Sequence, residues 1–296
     1  MKRIITLVLA MLVGIACVGF TACGGDSFSG RVKVIDVKLS EESYGVAVSK
    51  SDSSLLETVN GVLTAKATEI EQLFTKYADV DVNDATLVVA DVVEYTDGMS
   101  GDDYLIMATD APFEPYEYRV GNGYAGIDIE IGKMIADALD KTLAIKQTAF
   151  NTICTVVNQG GADIGLAGLT ITPARENTVN FSIPYYEEAY QVIVVPEEIT
   201  TYDGKTATEV VDILKGLKAG TKVGSQTGTT GAKYIQGDAN DPDGFGFTGY
   251  SNLTLKTYDT HADAVRDMVN GEVELCIVDN AVANSIVAQI NASVAK

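Results

Sequence analysis

Several residue types are scarce in this 296-residue chain. It has no tryptophan, one histidine (His261) and four cysteines, two of which, Cys154 and Cys276, lie far apart in the second half of the chain. So few scattered histidine and cysteine side chains give no cluster with zinc-ligand spacing, and the acidic residues do not follow the EF-hand pattern. The sequence also lacks a Walker phosphate loop and a G-x-S-x-G motif. We therefore predict neither a metal site nor a cofactor.

Basic residues are scarce as well. Only 21 Lys and Arg accompany 41 Asp and Glu, which gives a formal net charge of −20. This balance argues against binding to nucleic acid or to anionic membrane surfaces. Hydrophobic residues make up 46% of the chain, so we expect a well-packed globular protein with one large domain or two smaller ones.

The N-terminus has the layout of an export signal. Lys2 and Arg3 precede an apolar stretch over residues 4–18, which is followed by small residues. The run Phe20-Thr21-Ala22-Cys23-Gly24-Gly25 then resembles a bacterial lipobox, although Phe20 stands where leucine is usual. We predict a lipoprotein signal peptide over 1–22 and an extracytoplasmic protein, held at the outer face of the cell membrane by a lipid on Cys23. Simple secretion, or a periplasmic location, is the alternative.

No apolar run after Cys23 is long enough to cross a membrane, so only the lipid would hold the body of the protein there. An exported compartment permits a disulfide without requiring one. We expect Cys154 and Cys276 to be buried free thiols.

Strands and helices alternate from residue 104 onward. Residues 104–108 and 162–168 fit buried strands, and apolar side chains recur at helical spacing between Ile131 and Leu139. This β-α-β order predicts a parallel sheet. Residues 78–103 hold eight acidic residues and no Lys or Arg, and we interpret them as a connector whose apolar stretch 87–93 fits a helix or a strand.

The same alternation returns after Pro196. Residues 211–217 and 264–269 favour helices, whereas 222–225 and 275–278 favour short strands. The sequence therefore predicts an α/β protein with two lobes.

The strongest local signal is the segment 167–175, which leaves a buried strand, turns and enters a helix. Thr172 suits the N-cap and Pro173 the first helical position, so free backbone N–H groups should make an anion site there. Arg175 in the first turn opposes the helix dipole, which is unfavourable for a purely structural residue, but its fork matches a carboxylate. A surface ion pair with Glu176 or Asp163 is the alternative that spacing leaves open.

Five further segments carry a family resemblance. Three of them lie before Pro196, at residues 109–118 (TDAPFEPYEY), 126–131 (GIDIEI) and 180–186 (NFSIPYY). The other two lie after Pro196, at residues 223–230 (VGSQTGTT) and 271–279 (GEVELCIVD). Together with 168–175 they resemble the bacterial extracellular solute-binding proteins that deliver polar amino acids to ABC importers, family 3.

The resemblance implies a ligand site between the lobes. Arg175 would pair the α-carboxylate of a free L-amino acid, helped by backbone N–H groups of Thr170 and Thr230, while the Thr170 hydroxyl, the Gly168 carbonyl and Asp279 take the α-ammonium. The remaining ligand-binding residues implied are Asp110, Phe113, Glu114, Phe150 and Thr229. Phe113 would stack on the ligand side chain and Phe150 add a wall. Asp110 and Glu114 favour a basic or neutral polar ligand over an acidic one, because a second carboxylate would be repelled.

Each role has a structural alternative. Phe113 could be ordinary core under a loop, and Thr229 and Thr230 could simply cap a helix. Asp279 could cap the helix after its strand, although ligands bind at the carboxyl ends of strands in open α/β sheets.

The order of segments departs from the family. Residues 39–77, with Tyr44-Gly45-Val46-Ala47-Val48, resemble the family's C-terminal segment but come first here. We predict a circularly permuted, two-lobed periplasmic-binding-protein fold (type II) with a hinge of two crossing segments, near 44–48 and 190–195. Lobe 1 would be 46–191, with 78–103 joining the original termini, and lobe 2 would be 31–45 plus 192–296. An unrelated N-terminal extension is the alternative.

The resemblance predicts a monomer, not an enzyme, that captures an L-amino acid and presents it to an ABC permease. A sensor for a membrane receptor would have the same sequence features. An enzyme similar to cyclohexadienyl dehydratases is a further alternative because fold does not fix function, and Glu114 is the general acid it would use.

Overall fold

The structure is a computed structural model that describes residues 29–78, 80–240 and 244–294. The predicted signal peptide and Cys23 lie outside these ranges. The described chain forms two mixed β-sheets, each covered by helices, with two small antiparallel pairs of strands.

A six-stranded sheet has the order β10-β3-β9-β5-β8-β4. Its strands are β3 (Ala47–Ser49), β4 (Val92–Glu94), β5 (Tyr104–Thr109), β8 (Thr142–Gln147), β9 (Ile164–Gly165) and β10 (Val179–Phe181). Strands β9, β5, β8 and β4 run parallel, whereas β3 is antiparallel to both β9 and β10. This sheet thus incorporates β3 from the segment that precedes the parallel strands in sequence.

Both faces of β5 are buried, because successive side chains point to opposite faces of a strand. Leu105 and Met107 pack in the cluster that holds α3, whereas Ile106 and Ala108 pack with α4. The helices of this lobe are α1 (Ser53–Ala65), α2 (Ala67–Lys76), α3 (Ile127–Ala138), α4 (Ile153–Asn158) and the short α5 (Pro173–Glu176). Helix α3 contacts α1, α2, β5 and β8, so the N-terminal helices complete this core. The hairpin β6 (Tyr118–Val120) and β7 (Gly123–Ala125) precedes α3.

A five-stranded sheet has the order β1-β12-β15-β13-β14. Its strands are β1 (Val32–Ile35), β12 (Gln191–Pro196), β13 (Thr221–Gln226), β14 (Leu253–Tyr258) and β15 (Leu275–Asp279). Its helices are α6 (Ala207–Gly216), α7 (Thr230–Gln236), α8 (His261–Val269) and α9 (Asn280–Val294). Helices α8 and α9 share a buried cluster with Val192 and Val194, whereas α6 and α7 pack with Ile193 and Val195.

Two chain crossings join the sheets, and they pair with each other. Strands β2 (Glu42–Tyr44) and β11 (Tyr186–Ala189) form a two-stranded antiparallel sheet between β1 and β3 on one crossing and between β10 and β12 on the other. The crossings lie a few residues before the predicted ones, because Ala47–Ser49 and Gln191–Pro196 already belong to the two large sheets.

Several predicted elements have different bounds. Only Ile164–Gly165 of the predicted strand 162–168 is paired, because the chain then turns towards the cleft through Gly168, where φ is +53°. Helix α6 begins at Ala207, four residues early, because Thr206 and Glu209 form a capping box. In the connector, residues 85–87 form a 3-10 turn and β4 adds an edge strand to β8.

Cys154 and Cys276 are both free. Cys276 is buried as predicted, but Cys154 is half-buried beside the Arg175 cleft. In the described ranges, no helix is long and apolar enough to span a membrane.

Candidate functional site

Arg175 lies in the segment that leaves β9 and enters α5. Thr172 Oγ1 accepts a hydrogen bond from the Arg175 N–H (3.1 Å) and Pro173 is in the first turn, as the sequence predicts. Helix α5 has only four residues, so its dipole contributes little here. The positive charge at the start of α5 therefore comes from the Arg175 guanidinium and not from the helix dipole.

The guanidinium of Arg175 reaches across the cleft. Nη1 donates to the Thr170 carbonyl (2.7 Å), and Nη2 donates to the Gly228 carbonyl (3.3 Å) in the loop after β13 of the other sheet. The guanidinium also lies 5.0 Å from the centre of the Phe150 ring. Asp163, considered above as a surface partner, instead accepts a backbone N–H of β5. Arg175 therefore faces the cleft between the sheets.

Two threonines of the second lobe have different roles. The Thr229 hydroxyl donates to the Gln226 carbonyl (2.8 Å) and accepts from the Ala232 N–H (3.2 Å), so it caps α7. The Thr230 hydroxyl instead reaches the other lobe, where it donates to Thr170 Oγ1 at 3.3 Å. Thr230 thus lies in the cleft, whereas the side chain of Thr229 holds the backbone in place.

Asp279 ends β15 and is 5% exposed. Its Oδ1 accepts the Tyr44 hydroxyl (2.7 Å) and Gln191 Nε2 (2.9 Å), and its Oδ2 lies 3.5 Å from His261 Nε2. Burial alone would raise the pKa of Asp279, but His261, Tyr44 and Gln191 together lower it below its usual value. Asp279 is therefore an ionised carboxylate in the cleft.

Thr170 connects the positive and negative parts of the cleft. Its carbonyl accepts from Arg175, while its hydroxyl donates to Glu42 Oε2 (2.7 Å). Glu42 lies on β2 and is 5% exposed, and its Oε1 accepts from Gln191 Nε2 (3.1 Å). Thr170 is therefore bonded to a guanidinium on one side and to a carboxylate on the other, and Gln191 joins that carboxylate to Asp279.

Asp110 follows β5 and bridges the two lobes. Its Oδ2 accepts from Gln226 Nε2 (2.8 Å) of β13 and from the Phe150 N–H (3.1 Å). Burial raises the pKa of Asp110 to about 6. This carboxyl would gain from a cationic neighbour.

Phe113 is buried and packs in the hydrophobic core of its lobe, beside a residue of the other lobe. Its ring lies 5.7 Å from the His261 ring and 5.6 Å from the Tyr116 ring, and a Cβ on Gly168 would come within 2.6 Å of it. The Gly168 N–H donates to the buried Asp128 Oδ2 (2.8 Å), which holds this turn. Burial raises the pKa of Asp128 to about 7. Phe113 and Gly168 therefore lie against each other at the cleft.

Glu114 is not brought together with these residues. It lines a separate groove with Tyr77, Arg119 and the exposed side of α9, where it lies by Gln289. Phe113 therefore contacts Tyr116 and His261, whereas its neighbour Glu114 lies in a different groove.

Sequence reasoning missed five residues of the site: Glu42, Tyr44, Gln191, Gln226 and His261. Tyr44 and Glu42 lie on β2, and Gln191 begins β12, so the crossing segments supply them. His261 is 3% exposed, and neither of its ring nitrogens makes a hydrogen bond in the described structure. His261 could have been chosen as a candidate from the sequence, because it is the single histidine of the chain and comes shortly after a strand.

The cleft is suited to a small zwitterion. The Arg175 fork can bind a carboxylate bidentately, and Asp279 with the Thr170 hydroxyl offers oxygen acceptors for an ammonium. In residues 29–78, 80–240 and 244–294, no group of three or more His, Cys, Asp or Glu side chains is arranged to hold a metal.

Two mixed sheets joined by paired crossings, with a charged cleft between them, define an α/β two-lobed protein of the periplasmic-binding-protein fold. Residues 105–289 match the bacterial extracellular solute-binding proteins, family 3. This match covers more than half of the chain, and the protein belongs to that family.

Three relatives illustrate the similarity. The arginine-binding extracellular protein ArtP of Bacillus subtilis (strain 168) is 29% identical over 126 residues, which are 43% of this chain and 46% of ArtP. The putative ABC transporter arginine-binding protein 2 of Escherichia coli (strain K12) is 26% identical over 197 residues, 66% of this chain and 71% of that protein. A solved structure of an ancestral arginine-binding protein bound to arginine is 32% identical with a TM-score of 0.52, covering 63% of this chain and 74% of that one. The chain thus matches less than half of the length of ArtP.

Proposed function

We propose that this protein captures a free L-amino acid with a basic side chain, of the arginine type, and delivers it to an ABC permease without changing it chemically. The observation that carries the proposal is that Thr170 bonds to the Arg175 guanidinium and to the Glu42 carboxylate, and that Gln191 links this carboxylate to Asp279. This order of charges is complementary to the α-carboxylate and α-ammonium of an amino acid. Fixed partners for both charges offset the cost of removing them from water when the lobes close.

The side-chain end of the cleft supports a basic ligand. Asp110 offers a carboxylate whose pKa burial raises in spite of its bonds to Phe150 and Gln226, and Phe113 offers an aromatic ring. A guanidinium fits both, since it pairs with carboxylates and stacks on aromatic rings. The two curated relatives and the solved structure described above are named for arginine binding, which supports the same ligand class. Glu114, the acid that an enzyme would need, lies against Gln289 outside this cleft.

Thermal shift followed by calorimetry tests this function. A ligand that binds only the folded protein raises its Tm, so the twenty amino acids are screened on the mature protein. We expect arginine to give the largest shift and Arg175→Met to abolish it. Arg119→Met is the matched control, because Arg119 is an exposed arginine that pairs with Glu94 on the surface. If no amino acid raises Tm, or if Arg175→Met binds as tightly as Arg119→Met, the proposal is wrong.

We also propose that the chain is a circular permutation of its family, with lobe 1 at 46–191 and lobe 2 at 31–45 plus 192–296. The family match begins at residue 105, so β2, β3, α1 and α2 precede it. Yet β3 lies inside the six-stranded sheet between β9 and β10, and α1 and α2 pack on α3. An appended, unrelated extension would not be expected to supply an internal strand of the matched domain.

The permutation has a direct test. Val32 and Asn291 are joined by two hydrogen bonds, from the Val32 N–H (2.9 Å) and to the Val32 carbonyl (2.8 Å). A short linker from 294 to 31, with new ends opened between 95 and 102 and 78–94 kept to preserve β4, should restore the family order. We expect this protein to fold and to bind arginine within a few-fold of the original. A rearranged chain that is unfolded would refute the permutation.

Lipid anchoring through Cys23, outside the cytoplasm, completes the proposal. It is supported by the lipobox-like sequence and by membership of an extracellular family. We propose that the protein acts as a monomer that docks on its permease.

A further inference from the structure

Glu42 is buried at the centre of the site, and the proposed function uses its charge without giving it a part in orienting the ligand. It lies on β2, in the pair of strands that joins the lobes. Its carboxylate accepts three hydrogen bonds, from Ser40 Oγ (2.6 Å), Thr170 Oγ1 (2.7 Å) and Gln191 Nε2 (3.1 Å). These partners come from the loop before β2, from the segment after β9 and from β12, so Glu42 is bonded to both lobes.

The bond from Thr170 decides how that hydroxyl faces the cleft. A hydroxyl has one proton to donate and two lone pairs to accept with. Because Thr170 donates its proton to Glu42, its lone pairs are left for a donor, and Thr230 now occupies one of them through a long contact of 3.3 Å. A ligand ammonium is a stronger donor than a hydroxyl and would displace this contact.

Gln191 extends the same arrangement to Asp279. Its Nε2 carries two protons, one donated to Glu42 Oε1 and the other to Asp279 Oδ1. Asp279 Oδ1 is thereby occupied by Gln191 and Tyr44, whereas Oδ2 lies 3.5 Å from His261 Nε2. Glu42 thus fixes both oxygens that would receive the ammonium, although it need not touch the ligand.

We propose that Glu42 is a positioning residue for the α-ammonium of the ligand, which orients the Thr170 hydroxyl and, through Gln191, the Asp279 carboxylate. This inference rests on the proposed function. The electrostatic repulsion between Glu42 and Asp279 also favours an ammonium at this position. Burial, and then the negative charge of Asp279, raise the pKa of Glu42, so the two carboxylates repel each other until a cation arrives. An ammonium between them relieves that repulsion and favours the ionised form of Glu42.

The first test compares two adjacent glutamates with two ligands. Glu42→Gln keeps the shape but places an amide N–H₂ against the donors around it, whereas Glu41→Gln alters an exposed neighbour and is the matched control. Each variant is titrated with L-arginine and with 5-guanidinopentanoate, which lacks only the α-ammonium. We expect Glu42→Gln to weaken arginine binding about ten- to a hundredfold, the loss typical of a hydrogen bond to a charged group. The analogue, whose weak binding is read from the Tm shift at high concentration, should lose less than about threefold, within the variation between equivalent sites.

A double-mutant cycle gives a second readout with arginine alone. Thr170→Val removes the hydroxyl that Glu42 orients. In the Thr170→Val protein, Glu42→Gln should therefore reduce arginine affinity by clearly less than it does in the original protein. If Glu42 only stabilised the hinge, both ligands would lose affinity equally and the two substitutions would add. Either result, or a Glu42→Gln protein that matches Glu41→Gln, overturns the inference while leaving the proposed function intact. Failure of the original protein to bind arginine would instead remove the proposed function and this inference with it.

Discussion

Asp110 makes affinity for a basic amino acid depend on pH. Burial raises its pKa to about 6, so its carboxyl is ionised in about nine tenths of molecules at pH 7 and in about one tenth at pH 5. If a guanidinium binds only the ionised form, the apparent Kd equals the intrinsic Kd divided by the ionised fraction. Arginine affinity should therefore fall about tenfold between pH 7 and pH 5. The carboxylate charge that would bind the guanidinium is present above the pKa of Asp110 and is lost as the pH falls through that pKa.

Calorimetry at pH 5, 6 and 7 on the original protein and on Asp110→Asn measures this effect. The variant keeps the size of the side chain and an oxygen for Gln226 Nε2, but it has no charge to titrate. We expect Asp110→Asn to bind more weakly at pH 7 and to lose most of the pH dependence. The difference between the two proteins isolates Asp110 from other groups that titrate in this range, such as the buried Asp128, whose pKa is raised to about 7. An equal fall in affinity for both proteins would refute the assignment of Asp110 to the ligand's side chain.

Three further predictions concern other parts of the molecule. Arg175→Lys keeps the charge but not the fork, so calorimetry should show arginine affinity reduced by about 2 kcal/mol or more, and equal affinity would contradict a bidentate contact. Gly168→Ala puts a Cβ at positive φ and 2.6 Å from Phe113 Cε1, at a cost of about 1–3 kcal/mol, so both Tm and affinity should fall, and an unchanged Tm would mean that the turn adapts freely. Cys23→Ser should move the protein from the membrane fraction to the soluble fraction with unchanged arginine affinity, and retention on membranes would exclude the lipid anchor.

Local sequence signals were enough to predict the backbone structure of the Arg175 segment. The N-cap of Thr172 and the first-turn position of Pro173 depend on a few neighbouring residues, and the structure has both. The amphipathic spacing of α3 depended on local pattern in the same way. The capping box of Thr206 was equally local and could have been recognised, since Glu209 stands three residues later.

The carboxylate network could not be predicted in this way. Thr170 and Glu42 are 128 residues apart, and Tyr44 and Asp279 are 235 residues apart, so only the folded crossings bring them together. Side-chain direction within a loop was the other obstacle. Phe113 and Glu114 are adjacent, and sequence alone did not show that one packs against His261 and the other lies in a separate groove.

Strand β1 has a consequence for the order in which the two lobes form during export. Val32 pairs with Pro196, so this first strand must wait for more than 160 residues before its partner emerges. All strands of the six-stranded sheet have emerged by Phe181, whereas the five-stranded sheet requires β15 and the helix that follows it. Closing so long a loop is entropically costly and slow. A nascent chain therefore carries one lobe able to fold while the first strand of the other waits, unpaired and open to holding chaperones.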